Sequence, residues 1–131
     1  MEKTTEKKIG PTMRRRIREL ILSEGIAQVQ LSDGLINDLI DCGHIVSLKA
    51  GQPLVKVGDV NPDFYILIDG IIRSWYVLDN VEVTTAFGIA GTQILNYASY
   101  TAGQPSESNF EACTKCKLMR VPKEDYDRML H

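Results

Sequence analysis

Between residues 44 and 91 the chain reads "HIVSLKAGQPLVKVGDVNPDFYILIDGIIRSWYVLDNVEVTTAFGIAG". No helical period runs through it. Short runs rich in β-branched and aromatic residues alternate with turn signals: Ala-Gly-Gln-Pro, Val-Gly-Asp-Val-Asn-Pro, Asp-Gly and Leu-Asp-Asn. Regular short strands with such punctuation predict an all-β sandwich or barrel. One run narrows the choice further. Tyr65 and Leu67 would lie on one face of a strand, with Phe64, Ile66 and Ile68 on the other, so that strand is expected to be buried against an inner core. Gly51, Gly58 and Gly70 fall between the strands, where tight corners call for positive φ.

Helices flank this β region. Pro11 suits a first helical turn. After it, Met13, Ile17, Leu20 and Ile21 recur at helical spacing, with Arg14, Arg15, Arg16 and Arg18 on the other faces, and Gly25 is a natural stop. In "LSDGLINDLIDCG" Ser32 is an expected N-cap, and Leu35, Ile36, Leu39 and Ile40 form an apolar stripe that ends at Gly43. "FEACTKCKLMRV" (110–121) predicts one or two more strands, and Pro122 opens a last helix, "KEDYDRMLH". Residues 1 to 10 lack apolar periodicity and are expected to fray. The organisation is therefore a tail and helix over 1–29 and a β-roll over 30–131.

At 131 residues with a net charge of −2, the chain has room for one domain and carries no overall basic field. No apolar run reaches the roughly 20 residues that span a bilayer. The first ten residues lack a secretory apolar stretch, and three cysteines do not suggest a disulfide scaffold. A cytoplasmic protein with no membrane partner is expected.

Three segments together resemble the cyclic-nucleotide-binding domain, and most closely the Crp/Fnr-type sensor domains of bacterial transcription regulators. "LKAGQPLVKVGD" is similar to that family's opening strands. "DFYILIDGIIRSWYV" is similar to its aromatic strand, Gly turn, and strand that begins with two aliphatics and a basic residue. "VEVTTAFGIAG" resembles the hairpin return before the nucleotide cassette. The fold so implied is mainly β with flanking helices, a double-stranded β-roll of jelly-roll type.

In cyclic AMP-binding members the cassette carries a glutamate for the ribose 2′-hydroxyl and an arginine for the cyclic phosphate. Placed without a gap, the cassette here covers Ile94 to Asn109. Leu95 stands at the family's glycine, Asn96 at its glutamate, Ser106 at its arginine and Glu107 at the adjacent hydroxyl residue. Pro105 and the spacer "YASYTAG" keep the frame. A buried phosphate needs a fixed cation, and guanidinium suits two of its oxygens. A charge-assisted hydrogen bond contributes roughly 1.5–3 kcal/mol, so the missing pair weakens binding by about 3–6 kcal/mol, or roughly 100- to 10,000-fold. Glu107 adds repulsion. The expectation is that cyclic AMP is not bound in the usual way.

Leu95, Asn96, Tyr97, Ser99, Tyr100, Ser106, Glu107 and Ser108 are then the candidate ligand pocket, with Thr101 nearby. Their hydroxyls, amide and rings suit a neutral ligand better than a phosphate. The alternative is that these groups satisfy the cassette's own backbone. The resemblance further implies a homodimer formed through a long helix that is only begun here, and DNA contact through a domain absent from this chain.

Other chemistries find little support. Cys113-Thr-Lys-Cys116 with Cys42 and His44 could in principle hold zinc, yet one CxxC without a close second pair more simply flanks a turn. No metal and no cofactor are expected. A cupin-like enzyme needs several histidines, whereas the chain has His44 and His131. No nucleophile–base set or phosphate loop is present either, so catalysis is not expected. "RRRIR" (14–18) reads as the wet face of an amphipathic helix rather than a nucleic-acid patch. Two readings remain: a regulatory sensor domain, or a ligand-free protein-interaction scaffold with the same fold.

Overall fold

A computed structural model describes residues 8–23 and 32–130. In chain order the elements are α1 (Pro11–Ser23), α2 (Asp33–Asp41), β1 (His44–Leu48), β2 (Pro53–Val55), β3 (Phe64–Asp69), β4 (Ile72–Leu78), β5 (Val81–Gly88), β6 (Gln93–Leu95), α3 (Tyr97–Ala102), β7 (Asn109–Ala112), β8 (Cys116–Val121) and α4 (Lys123–Leu130). The strands form two four-stranded sheets, β1-β8-β3-β6 and β2-β7-β4-β5. All the pairings are antiparallel. Helices flank the resulting β-roll, the fold class expected from the sequence.

Strand β3 explains why two cores exist. Its residues Phe64 to Ile68 are all buried. Tyr65 and Leu67 face into the roll, where they pack with Val46, Leu48, Leu54, Val55, Ile72, Ile94, Ala112 and Leu118. Phe64, Ile66 and Ile68 face the helices and pack with Ile17, Leu20, Ile21, Ile36, Leu39, Ile40, Met119 and Val121. Each fully buried aliphatic side chain contributes roughly 1.5–3 kcal/mol, so the helical layer is integral to the fold. The same period-2 reading places Leu118 inside the roll and Met119 against the helices.

The turns follow the sequence signals. Gly51, Gly58 and Gly70 have φ of 84°, 96° and 97°. At the Leu78-Asp79-Asn80-Val81 turn, Asp79 and Asn80 both take positive φ, as a two-residue hairpin with right-handed strand twist requires. Ser32 caps α2, its hydroxyl accepting from Leu35 N–H at 3.1 Å. Gly43 ends that helix for a packing reason, since a Cβ there would meet the Met119 side chain at 2.6 Å. The 110–121 segment makes two strands, β7 and β8.

One expectation is corrected. Within the tail, Ile9 is half-buried and packs on the helical core beside Met13 and Cys42. A single apolar residue gives no period to detect, but it has a core to dock on. The expected stop at Gly25, the division between residues 29 and 30, and His131 lie outside the described residues.

Candidate functional site

The cassette begins where β6 leaves β3. Leu95 pairs with Phe64 as the last residue of β6, and Asn96 follows as the N-cap of α3. The Asn96 carboxamide oxygen accepts from Ser99 N–H at 3.2 Å. Gly103, in the left-handed region at φ 64°, closes the helix, and its N–H donates to Ser99 O at 3.0 Å while Gln104 N–H donates to Ala98 O at 3.2 Å. Ser99 is buried, and its hydroxyl donates to Gln104 O at 2.6 Å. Thr101 donates to Tyr97 O at 2.7 Å.

Ser106 is 2% exposed. Its hydroxyl donates to Ser108 O at 2.6 Å and accepts from Ser108 N–H at 3.2 Å. Its backbone is equally engaged: Ser106 N–H donates to Asp59 O at 2.7 Å, and its carbonyl accepts from Gly58 N–H at 2.8 Å. Asn109 reaches the same loop, its side-chain oxygen accepting from Val57 N–H at 2.8 Å. The polar side chains Asn96, Ser99, Thr101 and Ser106 thus satisfy the cassette's own backbone. Glu107 is exposed, and Tyr97 is 72% exposed.

Tyr100 behaves differently, because it ties the cassette to α4. Its hydroxyl donates to the Asp127 carboxylate, and its ring meets Tyr126 edge-on at 5.7 Å. The bond to Asp127, with burial adding to it, pushes the Tyr100 hydroxyl up to about 12. Lys123 lies 5.1 Å from the Tyr100 ring centroid and pairs with Asp127. Tyr126 in turn stacks on Phe64, and burial raises its hydroxyl too.

A second polar junction anchors the same helix. Asp63 takes Arg120 at 2.8 Å on one oxygen and Lys123 N–H at 2.9 Å on the other. Alternation along β8 puts Arg120 on the roll-facing side with Cys116 and Leu118. Sequence reasoning named neither Asp63 nor Arg120, and nothing local marks them, since the pairing spans strands far apart in the chain.

Arg73 does not reach into the cassette. It bonds Glu82 at 3.1 Å and Thr84 at 3.1 Å, lies 3.5 Å from Glu111, and sits over the Trp75 ring at 4.8 Å. The hydrogen bond it donates to Glu82 is the main reason its pKa rises. In the basic run of α1, Arg14 pairs with Asp41, Arg16 with Asp69, and Arg18 with Asp33. Cys113 is exposed and Cys116 buried, either side of the β7–β8 turn. Among the described residues no group of three or more His, Cys, Asp or Glu could hold a metal ion, and no helix is long and apolar enough to cross a membrane.

Comparison with solved structures places this architecture. The chain is similar to the regulatory domain of Toxoplasma gondii PKA, solved with cAMP, at a TM-score of 0.82 and 14% identity. That match covers 92% of this chain and 46% of the other. It is similar to the sensor domain of the transcriptional regulator DNR from Pseudomonas aeruginosa, at a TM-score of 0.77 and 18% identity over 92% of this chain and 80% of that one. The catabolite activator protein of Thermus thermophilus matches at a TM-score of 0.71 and 18% identity, over 78% of this chain and 48% of that one. The chain thus spans about half the length of the PKA regulatory domain and of the activator protein. At these identities the likeness is one of fold. The family model of the cyclic nucleotide-binding domain, a ligand-binding regulatory domain rather than a catalytic one, matches residues 45–131, from β1 through α4, and the chain belongs to that family.

Proposed function

We propose that the chain is the regulatory, non-catalytic sensor module of a Crp/Fnr-type transcription regulator, working in the cytoplasm, with a cassette that no longer grips a cyclic phosphate. The observation that carries this reading is Ser106. At the arginine position stands a buried serine whose hydroxyl is used in both directions on Ser108. A cyclic phosphate placed there would meet no guanidinium, and Glu107 beside it would repel the anion. The solved sensor and activator structures supply the analogy of fold. On that analogy, dimerisation through a long helix and DNA contact through a separate domain would belong to a longer protein.

The test is a thermal-shift panel with cyclic AMP, cyclic GMP, cyclic dinucleotides and neutral metabolites, with calorimetry on any hit. A ligand at 100 times its dissociation constant adds roughly 2.7 kcal/mol, an easily read shift. No response to the nucleotides with a response to a neutral metabolite supports the sensor. Micromolar or tighter binding of cyclic AMP overturns the degenerate cassette.

A second reading, a ligand-free interaction scaffold, is favoured by one observation. Asn96, Ser99, Thr101 and Ser106 are already bonded within the cassette, which leaves few of the candidate pocket's groups for a ligand. Silence across the whole panel, with a protein partner captured by the full-length regulator, supports that reading instead.

A further inference from the structure

Strand β5 ends the β2-β7-β4-β5 sheet, and among the described residues only β4 pairs with it. It is eight residues long, whereas the other edge strands, β1, β2 and β6, have five, three and three. An open edge presents unpaired N–H and C=O groups to any further strand, and proteins blunt such edges with charges, proline or a bulge. "VEVTTAFG" contains no lysine and no proline. Apart from Glu82, its safeguard is a bulge that leaves Thr85 out of the ladder, between the pairs Trp75–Thr84 and Ser74–Ala86. The straight run before the bulge stays open to solvent: Val81 is 60% exposed, and Glu82 and Thr84 are exposed as well.

The hairpin fixes which backbone groups are available. Asp79 and Asn80, both at positive φ, form a two-residue turn, so Leu78 and Val81 bond each other across it. Alternation along the ladder then commits the backbone of Val83 to Tyr76 and turns the N–H and C=O of Glu82 and Thr84 outward.

Charge selects the partner and the register. Glu82 is the one formal charge on β5, and Arg73 bonds both Glu82 and Thr84 at 3.1 Å. A second copy related by a two-fold axis through Val83 brings the Glu82 of each copy opposite the partner's Thr84, a hydroxyl that can donate to the carboxylate. An axis through Glu82 would instead set two carboxylates directly opposite, which destabilises a strand pair. An axis through Thr84 would run Glu82 into the partner's bulge. We propose that β5 docks antiparallel on the β5 of a second copy, centred on Val83, through reciprocal backbone bonds between Glu82 and the partner's Thr84. Val81 and Val83 of both copies then share one face of a sheet continuous across the dimer. The contact is smaller than the roughly 1,200–2,000 Å² of a standard interface, so association is weak and depends on concentration.

Sedimentation equilibrium on the 131-residue chain, from about 10 μM to about 1 mM, should show monomer passing to dimer. Thr84→Pro removes an outward N–H without cutting a bond to β4 and should weaken association about tenfold or more. Circular dichroism checks that this variant keeps its fold. In a Cys42→Ser, Cys113→Ser background, Val83→Cys should yield a disulfide-linked dimer on mild oxidation, because residues facing each other at the axis have Cα atoms about 4.5 Å apart. Val81→Cys should not, since its counterpart lies about 13 Å away along the strands. A monomer at every concentration overturns the proposal and leaves the edge to a strand of another protein. So does a dimer unaffected by a folded Thr84→Pro, or cross-linking of Val81→Cys as fast as Val83→Cys. The two cysteine variants decide the matter even if Thr84→Pro does not fold.

Discussion

Phe64 at the start of β3 and Tyr126 in α4 stack face to face, with ring centroids 4.7 Å apart and planes 11° from parallel. The contact closes a path from the sheet to the last helix and, through the Tyr126–Tyr100 edge contact, to the cassette. Stacked aromatic pairs contribute about 0.5–1.5 kcal/mol beyond the area they bury. Tyr126→Ala is therefore expected to cost about 2 kcal/mol, the stack together with half-buried apolar area. Tyr126→Leu keeps much of the area and is expected to cost about 1 kcal/mol. Urea denaturation with unchanged slope measures both. No loss in Tyr126→Leu would mean that stacking contributes nothing beyond area.

Tyr100 makes the same junction pH-dependent at the alkaline end. An unfolded tyrosine ionises at its ordinary value of 10.0, whereas the bond to Asp127 moves the folded-state value to about 12. Below the unfolded value both states hold the proton, and the contribution is fully present. Between the two values the unfolded chain has released its proton and the folded chain has not. Stability then falls with rising pH, because the unfolded state binds fewer protons. Thermal melts across that window should show a steeper decline for the native chain than for Tyr100→Phe, which has no proton to lose. Parallel curves would place the titration elsewhere. Tyr126, raised by burial, contributes with the same sign in both chains.

Gly70 combines two demands that no other residue meets. Its φ is 97°, and a Cβ there would run into the Lys115 carbonyl and the Cys116 sulfur. Positive φ costs a side-chain-bearing residue about 1–3 kcal/mol, and overpacking adds about 1–3 kcal/mol. Gly70→Ala is expected to lose about 3 kcal/mol or more, whereas Gly51→Ala has open space around its Cβ and carries only the backbone strain. Comparing the two by denaturant titration separates the crowding from the φ effect. Equal losses would mean that Lys115 and Cys116 move aside freely.

What the sequence disclosed followed from local rules. The two faces of β3 could be read from the alternation of Phe64 to Ile68, because each face meets its own core. Ser32 could be read as a cap because its hydroxyl acts three residues away. The cassette's bounds came from resemblance, and so did the placing of Asn96 and Ser106 at the positions of the family's glutamate and arginine. What those residues do instead was visible only as an alternative, since Ser106 could bond either a ligand or its own loop. The α4 junction was not legible. Asp63–Arg120, Phe64–Tyr126 and Tyr100–Asp127 join residues distant in sequence, and no periodicity encodes which partner a carboxylate or a ring will find. Ile9 escaped for a related reason, being one apolar residue in a charged tail that finds a surface only after α1 and α2 have packed.

Restoring the cassette tests the central reading most directly. If Asn96 and Ser106 are the reason for weak cyclic AMP binding, then Asn96→Glu, Ser106→Arg and Glu107→Ser together should bring it back. The guanidinium and carboxylate each return a charge-assisted bond of roughly 1.5–3 kcal/mol, so the affinity should rise about 100- to 10,000-fold. The substitution also removes the Ser106–Ser108 bonds, which contribute about 1 kcal/mol each, so the free protein should be less stable than the native chain. Ligand should recover that loss, giving a larger melting shift than the native chain shows at any nucleotide concentration. Calorimetry on the triple variant and on Ser106→Ala separates the two effects, because Ser106→Ala loses the bonds and gains no cation. A triple variant that folds and still ignores cyclic AMP would mean that the roll lacks the space for a nucleotide, and the scaffold reading would then stand ahead of the sensor.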